Sequence, residues 1–314
     1  MDPTVMLPPF PDERWTFAEQ LGIGTAVVRF WGVEEWWEYD TLQRAVTRFA
    51  DHGFSLDVVE DRPPMEKTVL GEPGRDEEIE TVKRLLRNMG RLGIDTYCWV
   101  WTENPLGVLR TSDSIPARGG SRTTGYDHEW TGRAGPHPAA DIAEEELWDN
   151  LQYFLDEVVP VAEEAGVNMA LHPDDPPLSP IRGVPRLVTS VDNYERILEM
   201  CESPNHGVTF CQGNFAAMGA DIPEAIKRLG EDIHFVHFRD VDGTADSFVE
   251  TWHDDGPTDM KAAIEAYQST DFDGPIRPDH VPKMVDETDR DEAMEGYTDM
   301  GRLYAVGYIR GLLE

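Results

Sequence analysis

Short apolar runs rich in β-branched residues alternate with amphipathic stretches along almost the whole chain, and this alternation restricts the fold more than any other feature. The strand-like segments are Gly24–Phe30, Ser55–Glu60, Asp95–Trp101, Val167–His172, Gly207–Cys211, Ile233–Phe238 and Pro275–His280. An eighth, Val5–Phe10, carries Pro8 and Pro9, which a central strand tolerates poorly, so it is the weak member of the set. Helical spacing is expected over Asp40–Asp51, with Asp40 as an N-cap, and over Asp76–Met89, Asp141–Ala165, Val191–Cys201, Ile222–Leu229, Met260–Gln268 and Gly301–Leu313. Apolar runs without strict alternation imply strands covered on both faces. Eight such units in 314 residues favour one closed α/β domain, a (β/α)8 TIM barrel over 1–314, rather than an open doubly wound sheet. No glycine fingerprint for a dinucleotide follows the first strand, since GIGTAV leads into a strand and opens no helix.

One stretch breaks the rhythm. Residues 102–140 are rich in Gly, Pro, Ser, Thr and Arg and follow a strand end. A loop of that length is functional or disordered as a rule, and here it would lie over the barrel mouth as a lid or as a mobile insertion.

In a parallel barrel every strand C-terminus emerges on one face. His172, Cys211, His237 and Asp279 stand at or near four successive strand ends, 39, 26 and 42 positions apart, and His280 follows directly. A lone histidine at a strand end is usually a hydrogen-bonded structural residue, and a lone cysteine is usually a small core hydrophobe. Four ligand types at four consecutive ends are a different matter. Two imidazoles, a thiolate and a carboxylate suit a divalent first-row metal, and ligand preference alone makes zinc acceptable. His234 lies at the start of its strand or points away, whereas His52, His128, His137 and His206 fall in helices or loops. Cys98 and Cys201 read as filler, and three scattered cysteines make no disulfide framework.

Longer motifs surround these positions: HPDDPP at 172–177, TFCQGNFAAMG at 209–219, IHFVHFRDV at 233–241, HDDGPTDM from His253, RPDH at 277–280 and GYTDMGRLYAVGYIRGL at 296–312. Together they resemble the mannonate dehydratase family, whose fold is a xylose-isomerase-like (β/α)8 barrel. The resemblance implies a hydro-lyase that removes water from D-mannonate to give 2-keto-3-deoxy-D-gluconate, with Mn2+ or Fe2+ as cofactor. It implies His172, Cys211, His237 and Asp279 as metal ligands, and His280 and Tyr297 as the acid/base residues. It also implies a homo-oligomer, a dimer or larger. A base must reach the C2 proton and an acid the departing 3-hydroxyl. Arg239 and Arg277 flank ligands, placed either to hold a sugar-acid carboxylate or to form barrel-wall salt bridges. Asp174, Asp175 and His253, in strand-to-helix loops, are candidates for substrate hydroxyls, and Asp174 could equally be a turn cap. The chain departs from the family where TVMLPPF replaces an aromatic, Arg-rich first strand, and where Glu103 replaces an Arg at the mouth. Arg110, Arg118 and Arg122 of the long loop could compensate. An isomerase or epimerase acting on a keto sugar is the alternative reading, and a non-catalytic binder of a metal or sugar acid is a third.

Charge bears on partners and solubility. Asp and Glu number 61 against 27 Lys and Arg, giving a formal net charge of −34 spread along the chain, and only five of the basic residues are Lys. Such a surface repels nucleic acids and anionic membranes, leaving a small-molecule substrate as the expected partner. No apolar run approaches the roughly 20 residues that span a bilayer, and the N-terminal segment lacks the pattern of a signal peptide, so a cytoplasmic enzyme is expected. An acidic surface poor in Lys fits a protein adapted to high salt, where self-repulsion is screened. Urea unfolding in dilute and in concentrated potassium chloride should therefore show higher stability in concentrated salt; the reverse trend contradicts this.

Overall fold

In the computed structural model, which describes residues 1–102, 109–285, 287 and 296–314, the barrel wall is built of parallel strands that neighbour one another in chain order. After the opening segment come Thr25–Val28, Ser55–Glu60, Thr96–Val100, Asn168–His172, His206–Cys211, Ile233–Phe238 and Pro275–Pro278. The expected (β/α)8 barrel is the observed fold. The opening segment is the weak strand of the sequence, and it closes the ring. Asp2–Pro3 pairs in parallel with Pro275 and Ile276, and Val5–Leu7 pairs with Ala26, Val27 and Val28 on the other side. Between them Thr4 donates its backbone N–H to Ile276 O at 2.9 Å and its hydroxyl to Thr25 O at 2.8 Å. Pro8 and Pro9 lie beyond the paired residues, which removes the objection they raised. His206 opens a strand rather than lying in a loop, buried with Nδ1 against Cys201 O.

Helices cover the wall, and their ends are set by the usual chemistry. Ser190, Asp221 and Asp259 each accept a hydrogen bond from a first-turn backbone N–H. The helices Arg75–Leu92 and Glu144–Ala165 stop at Gly93 and Gly166, both in the left-handed conformation. Asp40 is not the N-cap. The helix Tyr39–Asp51 begins after Glu38, and Asp40 sits in its first turn, where its charge faces the positive end of the helix dipole. The main apolar core lies between wall and helices, while Met6, Val27, Val58, Cys98, Ala170 and Phe235 fill the barrel interior. Among the described residues no helix is long and apolar enough to cross a membrane.

The 102–140 stretch is not a plain loop. Ser112–Pro116 and Arg122–Asp127 form an antiparallel pair, and two unforeseen strands, Val241–Thr244 and Ser247–Glu250, extend it to a four-stranded sheet. Phe248 packs on Tyr126 within it, ring centroids 5.9 Å apart. Glu103 lies outside the described residues.

Closure through Thr4 can be tested directly. Thr4→Val keeps the shape but removes one hydrogen bond to the Thr25 carbonyl, so it should lower the unfolding free energy by about 0.5–1.5 kcal/mol in urea titrations. An unchanged midpoint would contradict a role for the hydroxyl.

Candidate active site

The strand C-termini and the four-stranded sheet enclose a cavity of about 1260 Å³, lined in part by Glu60, His172, His237, Arg277, Asp279 and Tyr297. Each comes from a strand end or the loop just after it. His172 closes Asn168–His172, Cys211 closes His206–Cys211, and His237 is the penultimate residue of Ile233–Phe238. Ligand atoms of these three lie within 4.8 Å of one another. The two imidazole centroids are 4.9 Å apart. His172 Nδ1 lies 2.7 Å from the Pro173 carbonyl, which can only accept, so Nδ1 carries the proton and the Nε2 lone pair remains for the site. His237 is 1% exposed, yet neither ring nitrogen makes a hydrogen bond within the protein; Nε2 stands 3.3 Å from Glu60 and Nδ1 3.7 Å from Asp279.

Asp279 is the hub. Arg277 donates to its Oδ1 at 2.7 Å and the Tyr297 hydroxyl to the same oxygen at 2.8 Å, while Arg239 Nε lies 3.3 Å from Oδ2. Burial by itself would raise this carboxyl, but Arg277 and its other cationic neighbours hold it well below the usual carboxylate range. Burial also pushes the Tyr297 hydroxyl up, and the Asp279 charge adds to the effect. His280 Nε2 is 3.7 Å from Asp279 Oδ2, and the His280 and Tyr297 rings are 5.8 Å apart, so the expected acid/base pair does share one corner of the cavity. Burial lowers the His280 imidazole from its ordinary value. Its backbone takes a φ of +45°, and Gly296 packs so closely that a Cβ there would lie 3.1 Å from His280 Nδ1.

Both expected substrate arginines are engaged by protein carboxylates. Arg277 also forks onto Glu60 at 2.8 and 3.0 Å. Burial alone would raise Glu60; Arg277 and His237 outweigh it and hold the carboxyl at about 2. Arg239 donates to both oxygens of Glu250 and to Asp175, and its Nε lies 3.3 Å from Cys211 Sγ. Asp175 accepts from Arg110 at 2.7 and 3.1 Å and lines the cavity. Asp174 is a bracket for its own loop, bound by Arg186 Nε at 2.9 Å and the Val188 N–H at 2.8 Å. His253 gives its Nε2 proton to Phe238 O at 2.7 Å and is absent from the described cavity lining; burial brings its imidazole down to about 4. Of the three loop arginines only Arg110 reaches the cavity. Arg118 pairs with Asp254 at 2.8 Å, and Arg122 Nη1 donates to Ser114 O at 3.3 Å.

The family model described as D-mannonate dehydratase (UxuA) matches residues 19–139 and 136–314. The chain belongs to the D-mannonate dehydratase family. Mannonate dehydratase 2 of Halalkalibacterium halodurans is 37% identical over 306 residues, 88% of this chain and 87% of that one. The mannonate dehydratase of Oceanobacillus iheyensis is 34% identical over 88% of this chain and 86% of its own. The crystal structure of mannonate dehydratase from Streptococcus suis serotype 2 superposes with a TM-score of 0.88 at 30% identity, covering 100% of this chain and 94% of that one. A D-psicose 3-epimerase from Clostridium cellulolyticum H10 matches at a TM-score of 0.67 and 15% identity over both whole chains, a likeness of fold alone.

For a D-mannonate dehydratase family member, Glu60 and Glu250, which bind the arginines of this corner, were not singled out from the sequence. Glu60 ends the strand Ser55–Glu60 and obeys the same strand-end rule as the expected ligands. Cys98 offers a sulfur beside Glu60 and His237. Glu250 ends a strand of the covering sheet, and no pattern in the sequence marked that strand.

The buried arginines can be tested by removing one. Arg277→Leu leaves Glu60 and Asp279 without their main counter-charge, which should cost about 3–5 kcal/mol of stability. A loss below about 1 kcal/mol in denaturant titrations would show that solvent already compensates them.

Proposed function

We propose that the protein removes water from a sugar acid, D-mannonate in the first instance, to form 2-keto-3-deoxy-D-gluconate, and that it does so with a divalent metal, Mn2+ or Fe2+. The observation that carries this reading is the cluster of His172, Cys211 and His237, with Asp279 3.7 Å from His237, beside His280 and Tyr297. The donors fit a divalent cation: three ligand atoms lie within 4.8 Å, and both nitrogens of buried His237 lack a protein hydrogen bond. The charge balance fits as well. Arg110, Arg239 and Arg277 face four carboxylates, those of Glu60, Asp175, Glu250 and Asp279, so an added cation meets no net repulsion. Mn2+ or Fe2+ rather than zinc follows from the family, since the donor types alone accept zinc.

When bound, the metal supplies positive charge to the substrate carboxylate and 2-hydroxyl, lowering the cost of charge that develops on removal of the C2 proton. The chain's own residues do the rest. His280 and Tyr297 between them accept the C2 proton and donate a proton to the 3-hydroxyl, which leaves as water. The resulting enol becomes the 2-keto acid by moving its hydroxyl proton to C3. Asp279 orients the Tyr297 hydroxyl.

Purified protein supplied with Mn2+ and a panel of aldonic acids should form 2-keto-3-deoxy acid from D-mannonate. Cys211→Ala and His237→Ala should each lower bound manganese at least about tenfold along with the activity. Interconversion of keto sugars without product from any aldonic acid would replace this reading with an isomerase or epimerase. Undiminished metal in both variants would remove the proposed site.

A further inference from the structure

The covering sheet reaches the catalytic corner through two charged side chains. Arg110 lies just before the strand Ser112–Pro116, and Glu250 ends the strand Ser247–Glu250. Their barrel counterparts are Asp175, beyond Asn168–His172, and Arg239, directly after Ile233–Phe238. The four form a closed ring of ion pairs. Arg110 binds both oxygens of Asp175 and one of Glu250; Arg239 binds both oxygens of Glu250, at 2.9 and 3.0 Å, and Asp175 at 3.1 Å. Glu250, Asp175 and Arg239 are each at most 3% exposed, so these contacts are shielded from solvent.

His280 stands against this ring. Its Nδ1, buried and without a hydrogen bond, faces Glu250 Oε1 at 3.7 Å, and its Nε2 lies 3.5 Å from Arg110 Nη2. The Gly296 contact and the positive φ confine the residue from the backbone side. Nε2 also lies 3.7 Å from Asp279 Oδ2, but the nearer Arg110 guanidinium can only donate, so Nε2 is the acceptor and Nδ1 carries its proton toward Glu250. Glu250 itself is locked on both oxygens by Arg239, so the orientation it imposes is rigid.

We propose that Glu250 is a positioning residue for His280, held in place by an ion-pair ring that joins the covering sheet to the barrel wall. The inference rests on the reading of His280 as a proton-transfer residue, and it extends that reading to a residue outside the barrel wall.

The test is steady-state kinetics with D-mannonate and Mn2+ for E250Q, E250D and H280N, alongside bound manganese and urea midpoints. E250Q should lower kcat about tenfold or more with KM within about twofold and bound metal unchanged, and E250D should recover part of the loss. A wild-type kcat in E250Q, even with reduced stability, would overturn the inference and leave Glu250 a structural clasp. A raised KM at unchanged kcat would overturn it too. If E250Q does not fold, E250D decides: a reduced kcat is expected, and wild-type turnover sinks the proposal. H280N separates the two readings. Full activity in H280N removes the role of His280 itself, whereas an inactive H280N with a fully active E250Q removes only the role of Glu250.

Discussion

A carboxylate buried at the end of the last barrel strand organises this molecule. Asp279 is 2% exposed, and an isolated charge there would be prohibitive. Arg277, Arg239 and the Tyr297 hydroxyl offset that cost, and each of the two arginines is tied to a further acid. Arg277 links Asp279 to Glu60 on the third wall strand. Arg239 links it to Glu250 of the covering sheet. One buried charge thus connects the barrel wall, the covering sheet and the corner that holds His280 and Tyr297. A fixed, desolvated charge pattern of this kind suits chemistry in which negative charge develops on the substrate.

The two populations of charge in the chain do different work. The excess that gives −34 lies mostly at exposed or half-buried positions among the described residues. At the mouth, acids and arginines occur nearly in balance, and every basic residue drawn into the network is Arg rather than Lys. The planar guanidinium fork explains the choice, because it satisfies two carboxylate oxygens or two acids at once.

The barrel was legible because strand and helix periods differ, and because parallel strands deliver their last residues to one face. That rule alone brought out His172, Cys211, His237 and Asp279. It applied equally to Glu60, which escaped notice because an acid ending an apolar run reads as a solvated strand end. The first strand was undervalued because its prolines were counted as part of it, whereas pairing ends at Leu7. The covering sheet was not legible, since its strands come from segments more than 100 residues apart and only the fold brings them together. For the same reason Arg239 and Arg277 stayed open between an outside ligand and barrel-wall salt bridges; their partners are Glu250 and Glu60 from distant elements. His253 carries a strong motif, yet its nitrogen is spent on the Phe238 carbonyl, a contact that depends on how the loop folds back.

The claim at the centre is that His172, Cys211, His237 and Asp279 hold one divalent ion. An anomalous-difference X-ray map from crystals grown with manganese addresses it most directly. The account predicts a single strong peak within coordinating distance of those four side chains. A peak bounded instead by Glu60, Cys98 and His237, or no peak in the barrel mouth, would contradict it.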